Sequence, residues 1–273
     1  DKLDGVSALI VYTLKEVLIK KQKTNSKKLI FAKKKLLESK IYSRGNGSVG
    51  QDLSFLKKFI KLPSIKKIRK QLKKAETIAI RGELIFSKST YNSFKDQTSN
   101  ARNMISGIVN SKKSSNFNDS AAKLIDFVAY ELIEPRLKMS DQIKILNKMN
   151  FKTTNMIETQ TISENILKTF LTERKSNSLY DIDGIIVCND TINPVNKDKN
   201  PKWAFAFKMI TQEQIKSTTI EEIQWNPSKD GILIPRIRIK PITISGNKIT
   251  YVTGFNARFI EDNLLSSGAV VDI

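Results

Sequence analysis

Asp1-Lys2-Leu3-Asp4-Gly5, with the apolar run Val6 to Tyr12 behind it, places a lysine two residues ahead of an Asp-Gly turn. A lysine amine attacks an electrophile only when neutral, so Lys2 as a nucleophile calls for burial beside other cations. Asp4-Gly5 lets the backbone turn sharply into the strand that follows. A surface lysine before a turn is the plain alternative, and four residues do not decide between them. The decision rests on whether the remaining parts of one site follow downstream.

Composition narrows the chemistry. The 273 residues carry 47 Lys and Arg against 27 Asp and Glu, a net charge of +20. That excess points to a polyanionic partner, nucleic acid before acidic membrane, although a lysine-biased proteome would also raise it. The Lys, Ile and Asn bias suits an AT-rich genome, such as that of a large DNA virus or an endosymbiont. There is no histidine, which removes histidine bases, triads and zinc sites. Cys188 is the single cysteine, so no disulfide forms within the chain, as suits a reducing compartment. No apolar run is long enough to span a bilayer, and no signal peptide is visible. The chain begins at the candidate nucleophile without a lead-in, which we expect of a fragment.

Outward from Lys2, the apolar and β-branched run to Ile19 predicts a strand or hairpin arm. Lys20 to Lys35 is strongly basic around Leu29-Ile30-Phe31; it reads as a solvated hairpin extension or as a phosphate-contact surface. Ser43-Arg44-Gly45-Asn46-Gly47 allows close backbone approach to a ligand and adds the fixed charge of Arg44. Asp52 or Ser54 is expected to cap a helix through Phe55 and Phe59, with a second helix over Ile65 to Lys74. Thr77 to Phe86 predicts a strand with Arg81 and Glu83 on one face, lining a pocket or forming an exposed ion pair. Short helices are expected over Ser89 to Asp96 and from Ala101, and a polar loop over Ser111 to Ser120. Leu124 to Leu132 is a strand carrying Tyr130; Gln142 to Met149 and Ile162 to Arg174 are amphipathic helices. Leu179 to Cys188 predicts a buried strand entered through Asp183-Gly184, and Pro201 to Lys208 a strand ending on a lysine. From Thr218 onward the sequence shows only short strands and turns, a small β-barrel pattern. A composition shift near Thr211 to Lys216 marks a domain boundary.

In order, the segments are Lys2-x-Asp4-Gly5, Arg44-Gly45-Asn46-Gly47, Arg81-Gly82-Glu83, Asn100-Ala101-Arg102-Asn103, Tyr130, Asp183-Gly184 and Pro201-Lys202-Trp203 through Lys208. This order resembles the NAD-dependent DNA ligases, within the covalent nucleotidyltransferases, over nearly the whole chain. The resemblance implies an α+β architecture: a mixed nucleotidyltransferase (adenylylation) domain over 1–212, with antiparallel sheets and flanking helices. An incomplete β-barrel OB-fold would follow over 213–273. It implies that Lys2 attacks the α-phosphate of NAD to form lysyl-AMP. AMP then passes to the 5′-phosphate of a nick, and the 3′-hydroxyl seals the strand. Asp4, Glu83, Asp183 and Lys208 join Lys2 in the catalytic set. Arg44, Arg102, Tyr130 and Lys208 bind the nucleotide, with Tyr130 stacking on adenine. Glu83 and Asp183 hold Mg²⁺, and Lys229, Phe255 and Asn256 face DNA. The implied partner is nicked duplex DNA, met by an intracellular monomer in cytoplasm, nucleoid or viral replication site, without a membrane. Asp rather than Glu at 183 favours the NAD-using branch over the ATP-using one. Departures include Cys188 where the pattern has lysine, Asn110 where it has arginine, and Lys175 or a shifted Arg174 for another arginine. They motivate an alternative, a degenerate ligase-like DNA-binding protein without catalysis; the shared Lys-x-Asp-Gly motif leaves a second, an ATP-dependent polynucleotide ligase.

Overall fold

The computed structural model describes residues 1–22, 29–46, 48–71, 76–111, 118–194, 201–209, 215–244 and 246–273. Gly47 and much of the polar loop after Ser111 lie outside these ranges. So do the end of the helix expected to reach Lys74 and most of the boundary segment near Thr211. For 18–35 only the backbone is described.

The chain divides into two compact units, Asp1–Lys208 and Met209–Ile273. The first is built on β2 (Val6–Gln22), which pairs with β3 (Leu29–Ser43) on one side and β4 (Thr77–Ile85) on the other. β4 pairs in turn with β5 (Asp126–Glu134), and the two-residue β6 (Lys152–Thr153) adds to β5 in parallel. The sheet order is β3-β2-β4-β5-β6. On β2 the alternation required of a half-buried strand holds over its first eight residues. Ala8, Ile10 and Tyr12 are buried in the core while Ser7, Leu9 and Val11 stand on the other face. Ile80, Leu84, Phe127 and Leu132 continue that core from β4 and β5.

Helices cover the buried face. α3 (Ala101–Asn110) sends Met104, Ile105 and Ile108 into the core, and its Asn100 cap accepts from Asn103 N. α5 (Met139–Lys148) adds Ile143 and Leu146. The shorter α1 (Ile65–Gln71), α2 (Lys88–Asn92) and α4 (Asp119–Ala122) fill the periphery. The helix expected through Phe55 is instead a short 3-10 segment, Ser54–Lys58. Its would-be caps are spent locally: Asp52 accepts from Ser54 N, and Ser54 Oγ accepts from Ile41 N.

A second, smaller sheet in this unit has the order β1-β7-β8, from β1 (Lys2–Leu3), β7 (Ile182–Cys188) and β8 (Ala204–Phe207). It follows α6 (Glu164–Asn177). β7 is buried only in part, with Ile186 exposed, because the sheet has three strands and an open face.

The second unit is an open antiparallel sheet, β11-β10-β9-β12, from β9 (Ser217–Pro227), β10 (Leu233–Ile244), β11 (Asn247–Thr253) and β12 (Val270–Asp272). Two of these strands exceed ten residues, longer than the short strands expected. No pairing closes β11 onto β12 among the described residues. The helix α7 (Ala257–Asp262) was not expected either. It starts where Asn256 caps Phe259 N after a left-handed turn at Phe255, φ +59°, and six residues are too few to show a periodic pattern.

Candidate active site

Lys2 sits on β1, opposite Gly184 on β7, so the lysine and Asp183 are placed side by side by strand pairing. Lys2 Nζ donates to both oxygens of Asp183, at 2.8 and 2.6 Å. Lys208, just past β8, reaches the same carboxylate at 3.0 Å. A side chain at 184 would meet Phe207 O at 2.6 Å, so glycine there lets β7 and β8 approach. Sequence reasoning looked for a lysine buried among cations. Lys2 is instead part-exposed and held by a carboxylate, with a second lysine on the nearer of its two oxygens, Oδ2.

Asp4 accepts from Arg102 Nη1 at 3.0 Å, joining the loop after β1 to the start of α3. Gly5 packs flat on β4: a Cβ there would stand 2.5 Å from Leu84 O and 2.7 Å from Glu83 Cγ. That close approach brings Glu83 under the Lys2 loop. Glu83 is 8% exposed. Burial first, then the charges of Asp4 and Asp183, push its carboxyl up to about 7 against the pull of Arg102 and Lys2.

Tyr130 owes its place to a bulge. Arg81 pairs with Glu131 and Gly82 with Ala129, so Tyr130 is an extra residue in β5. The bulge lets consecutive Tyr130 and Glu131 both line one cleft, which a regular strand would not. Tyr130 Oη and Ser7 Oγ are 2.9 Å apart, and burial, with Glu83 nearby, pushes the phenol up to about 12.

The cleft measures about 2750 Å³. Lys2, Arg44, Glu83, Arg102 and Tyr130 line it, as do Lys202 and Trp203. Asn110 and Cys188 line it too; burial, with Asp190 and Glu131 near, raises the Cys188 thiol, so it adds no charge there. Lys229, Phe255 and Asn256 belong to the second unit: Phe255 is exposed and edge-on to Phe259, and Asn256 caps α7.

Two arrangements escaped the sequence reading. Glu131 is gripped by Arg81 at 2.6 Å and Arg136 at 2.7 Å, and Arg136 also donates to Asn193 O, tying the loop after β7 to this wall. Arg174 donates to Asp1 through Nε and Nη2, at 2.8 and 2.9 Å, fixing the start of β1 to the end of α6. Neither pairing leaves a local signal, since the partners are 50 or more residues apart or on different elements.

An amine among carboxylates, a buried aromatic wall and several cations in one cleft define a site for an anionic ligand with an aromatic part. The chain belongs to the family of NAD-dependent DNA ligase adenylation domains, whose sequence model matches residues 1–212. A DNA ligase of Acanthamoeba polyphaga mimivirus is 40% identical over all of this chain, which covers 38% of that relative. A DNA ligase of Ligilactobacillus salivarius is 26% identical over 85% of the chain and 36% of its own length. The chain therefore spans less than half the length of these relatives. No helix among the described residues is long and apolar enough to cross a membrane.

Proposed function

We propose that this chain is the adenylylation unit, over 1–212, of a DNA ligase that seals nicks at the expense of NAD. Residues 213–273 then form an incomplete OB-fold. Family membership supports NAD as the adenylate donor. The observation that carries the reading is Lys2 Nζ, bonded through strand pairing to Asp183 and facing a cleft with Glu83, Arg102 and Tyr130.

In this reading the Lys2 amine loses a proton, for which Asp183 is the acceptor in contact. It then attacks the α-phosphorus of NAD, and the bond to nicotinamide mononucleotide breaks. The resulting phosphoramidate passes AMP to the 5′-phosphate of a nick; the 3′-hydroxyl displaces AMP and closes the strand. These displacements need positioning and charge neutralisation more than proton shuttling, so a site without histidine suffices. Tyr130 offers its ring to adenine, and Arg44, Arg102 and Lys208 meet phosphate oxygens. Asp4 orients Arg102 through their ion pair. Glu83 and Asp183, near enough to feel each other's charge, suit Mg²⁺, which takes one or two carboxylates plus substrate oxygens. Bound there, Mg²⁺ would neutralise phosphate charge. Among the described residues no group of three or more acids, histidines or cysteines forms a metal cage. The partner is nicked duplex DNA, met wherever the host or virus copies its genome, with Lys229, Phe255 and Asn256 on the DNA side.

Intact mass after incubation with NAD and Mg²⁺ tests the proposal in the full-length protein. The expected result is a gain of one AMP that Lys2→Ala abolishes. No gain with either NAD or ATP, while nicked DNA still binds, would replace this reading with the non-catalytic one.

A further inference from the structure

The β2–β3 hairpin is far longer than the sheet it belongs to. β4 pairs with β2 only through Thr13↔Thr77, with one more bond from Leu14 N to Glu76 O. The hairpin then runs on without a third strand among the described residues, through the pairs from Lys15↔Leu36 to Gln22↔Leu29. Those eight rungs extend it by roughly 25 Å at about 3.4 Å per residue. The burial alternation seen from Ala8 to Tyr12 stops where the ribbon leaves the sheet. Lys15, Glu16 and Val17 are exposed in succession, as is Leu36 across from them. Both faces of the ribbon's base are therefore open.

The ribbon is also strongly basic. Residues 15–22 and 29–38 carry Lys15, Lys20, Lys21, Lys33, Lys34 and Lys35 against Glu16 and Glu38, a net charge of +4. A ribbon adapted to water alone would set lysines opposite acids across the rungs. Here one rung does so, Glu16↔Lys35, and Lys15 pairs with Glu38 at the base. The other lysines are matched in register with apolar residues: Val17↔Lys34, Leu18↔Lys33, Lys20↔Phe31 and Lys21↔Ile30. By the two-residue alternation, Lys20, Lys33 and Lys35 fall at register positions of one face and Lys15, Lys21 and Lys34 at those of the other. A two-stranded ribbon with no core of its own is marginal in water, and this one holds excess positive charge on both faces.

We propose that this ribbon is a duplex-binding arm that lies along the DNA flanking the nick and neutralises phosphates on both of its sides. Charge complementarity names the partner: a duplex presents two phosphate rows, and its major groove admits a two-stranded ribbon. The proposal rests on the reading of the chain as a DNA ligase. Its contacts carry affinity and not sequence preference, because they are made to phosphates.

Two variants of the full-length protein test it. In one, residues 16–35 are replaced by Asn-Gly, a turn that joins the paired positions Lys15 and Leu36 and leaves the sheet untouched. In the other, Lys20, Lys21, Lys33, Lys34 and Lys35 become Gln. Binding to nicked duplex DNA is measured against salt, with adenylylation by NAD followed in parallel. Both variants should form lysyl-AMP at the parent's rate, bind duplex about tenfold more weakly or worse, and show a salt slope shallower by about 3. An unchanged slope and affinity in both variants would overturn the arm while leaving the ligase reading intact. Arm-dependent DNA binding by a protein that never gains AMP would uphold the arm and sink the catalytic reading. If the parent binds phosphatidylserine vesicles through the arm more tightly than duplex, the partner is wrong and the proposal falls.

Discussion

On the short-sheet side of the site, Lys2 and Lys208 both contact Asp183 and all three are part-exposed, with Lys2 reaching the cleft. On the five-stranded wall, Glu83 is 8% exposed, has no comparable partner in contact among the described residues, and has its carboxyl pushed up to about 7. Two carboxylates stand near Lys2, yet only Asp183 is in direct contact with it and with Lys208. The other is kept close to neutrality by burial. Under the proposed function the contrast assigns them different work: Asp183 would orient and deprotonate Lys2, while Glu83 would gain its charge only when a cation or a rise in pH supplies the reason.

The sharpest way to break this contrast is Asp183→Asn. Both lysines lose their shared anion at once, and the amine loses its proton acceptor and its orientation. Adenylylation should fall by about 10³-fold, at the upper end of what one preorganised charge supplies. Single-turnover formation of lysyl-AMP measures it. A loss below threefold would leave Asp183 as a mere counter-ion.

Glu83→Gln sharpens the other side through stability. Glu83's folded value lies above the ordinary carboxylate value, so its contribution is complete below about 4.5 and is lost as pH climbs through about 7. Glutamine carries no such penalty. At pH 8 the variant should be more stable than the parent by up to about 3 kcal/mol, with no difference near pH 4. Urea unfolding at the two pH values reads this directly. Equal stability at both would mean that Glu83 is ionised freely.

The members of the short-sheet side were legible one by one, Lys2 and Asp183 each near an Asp-Gly pair and Lys208 at the end of an alternating run. Their contact was not, because it joins strands 181 residues apart. The five-stranded wall was legible only in outline. Arg81 and Glu83 were placed on one face, but the Tyr130 bulge depends on register between strands some 50 residues apart, which no single segment encodes. For the same reason the Arg81–Glu131–Arg136 cluster and the Arg174–Asp1 pair were invisible until the strands were paired. The second unit was misread in its details because α7 is a single capped turn and a half, too short for periodicity.

The smallest test concerns two tyrosines of the five-stranded wall, one on each of its faces. Tyr130 opens on the cleft, and its hydroxyl has Ser7 as a partner at 2.9 Å. Tyr12 points the other way, into the core; it is 2% exposed, and its buried hydroxyl has no hydrogen-bond partner among the described residues. Burial raises the phenol strongly, so it stays neutral and bears an unmet desolvation cost. Tyr12→Phe removes the orphaned hydroxyl, keeps the ring packed in the core, and should stabilise the fold by up to about 1 kcal/mol. Tyr130→Phe loses a made bond and should destabilise by a similar amount. Opposite signs for the same chemical change would show that the wall's two faces differ in polar satisfaction and not in packing. A Tyr12→Phe protein less stable than the parent would mean that a buried water or a shifted neighbour satisfies the hydroxyl after all.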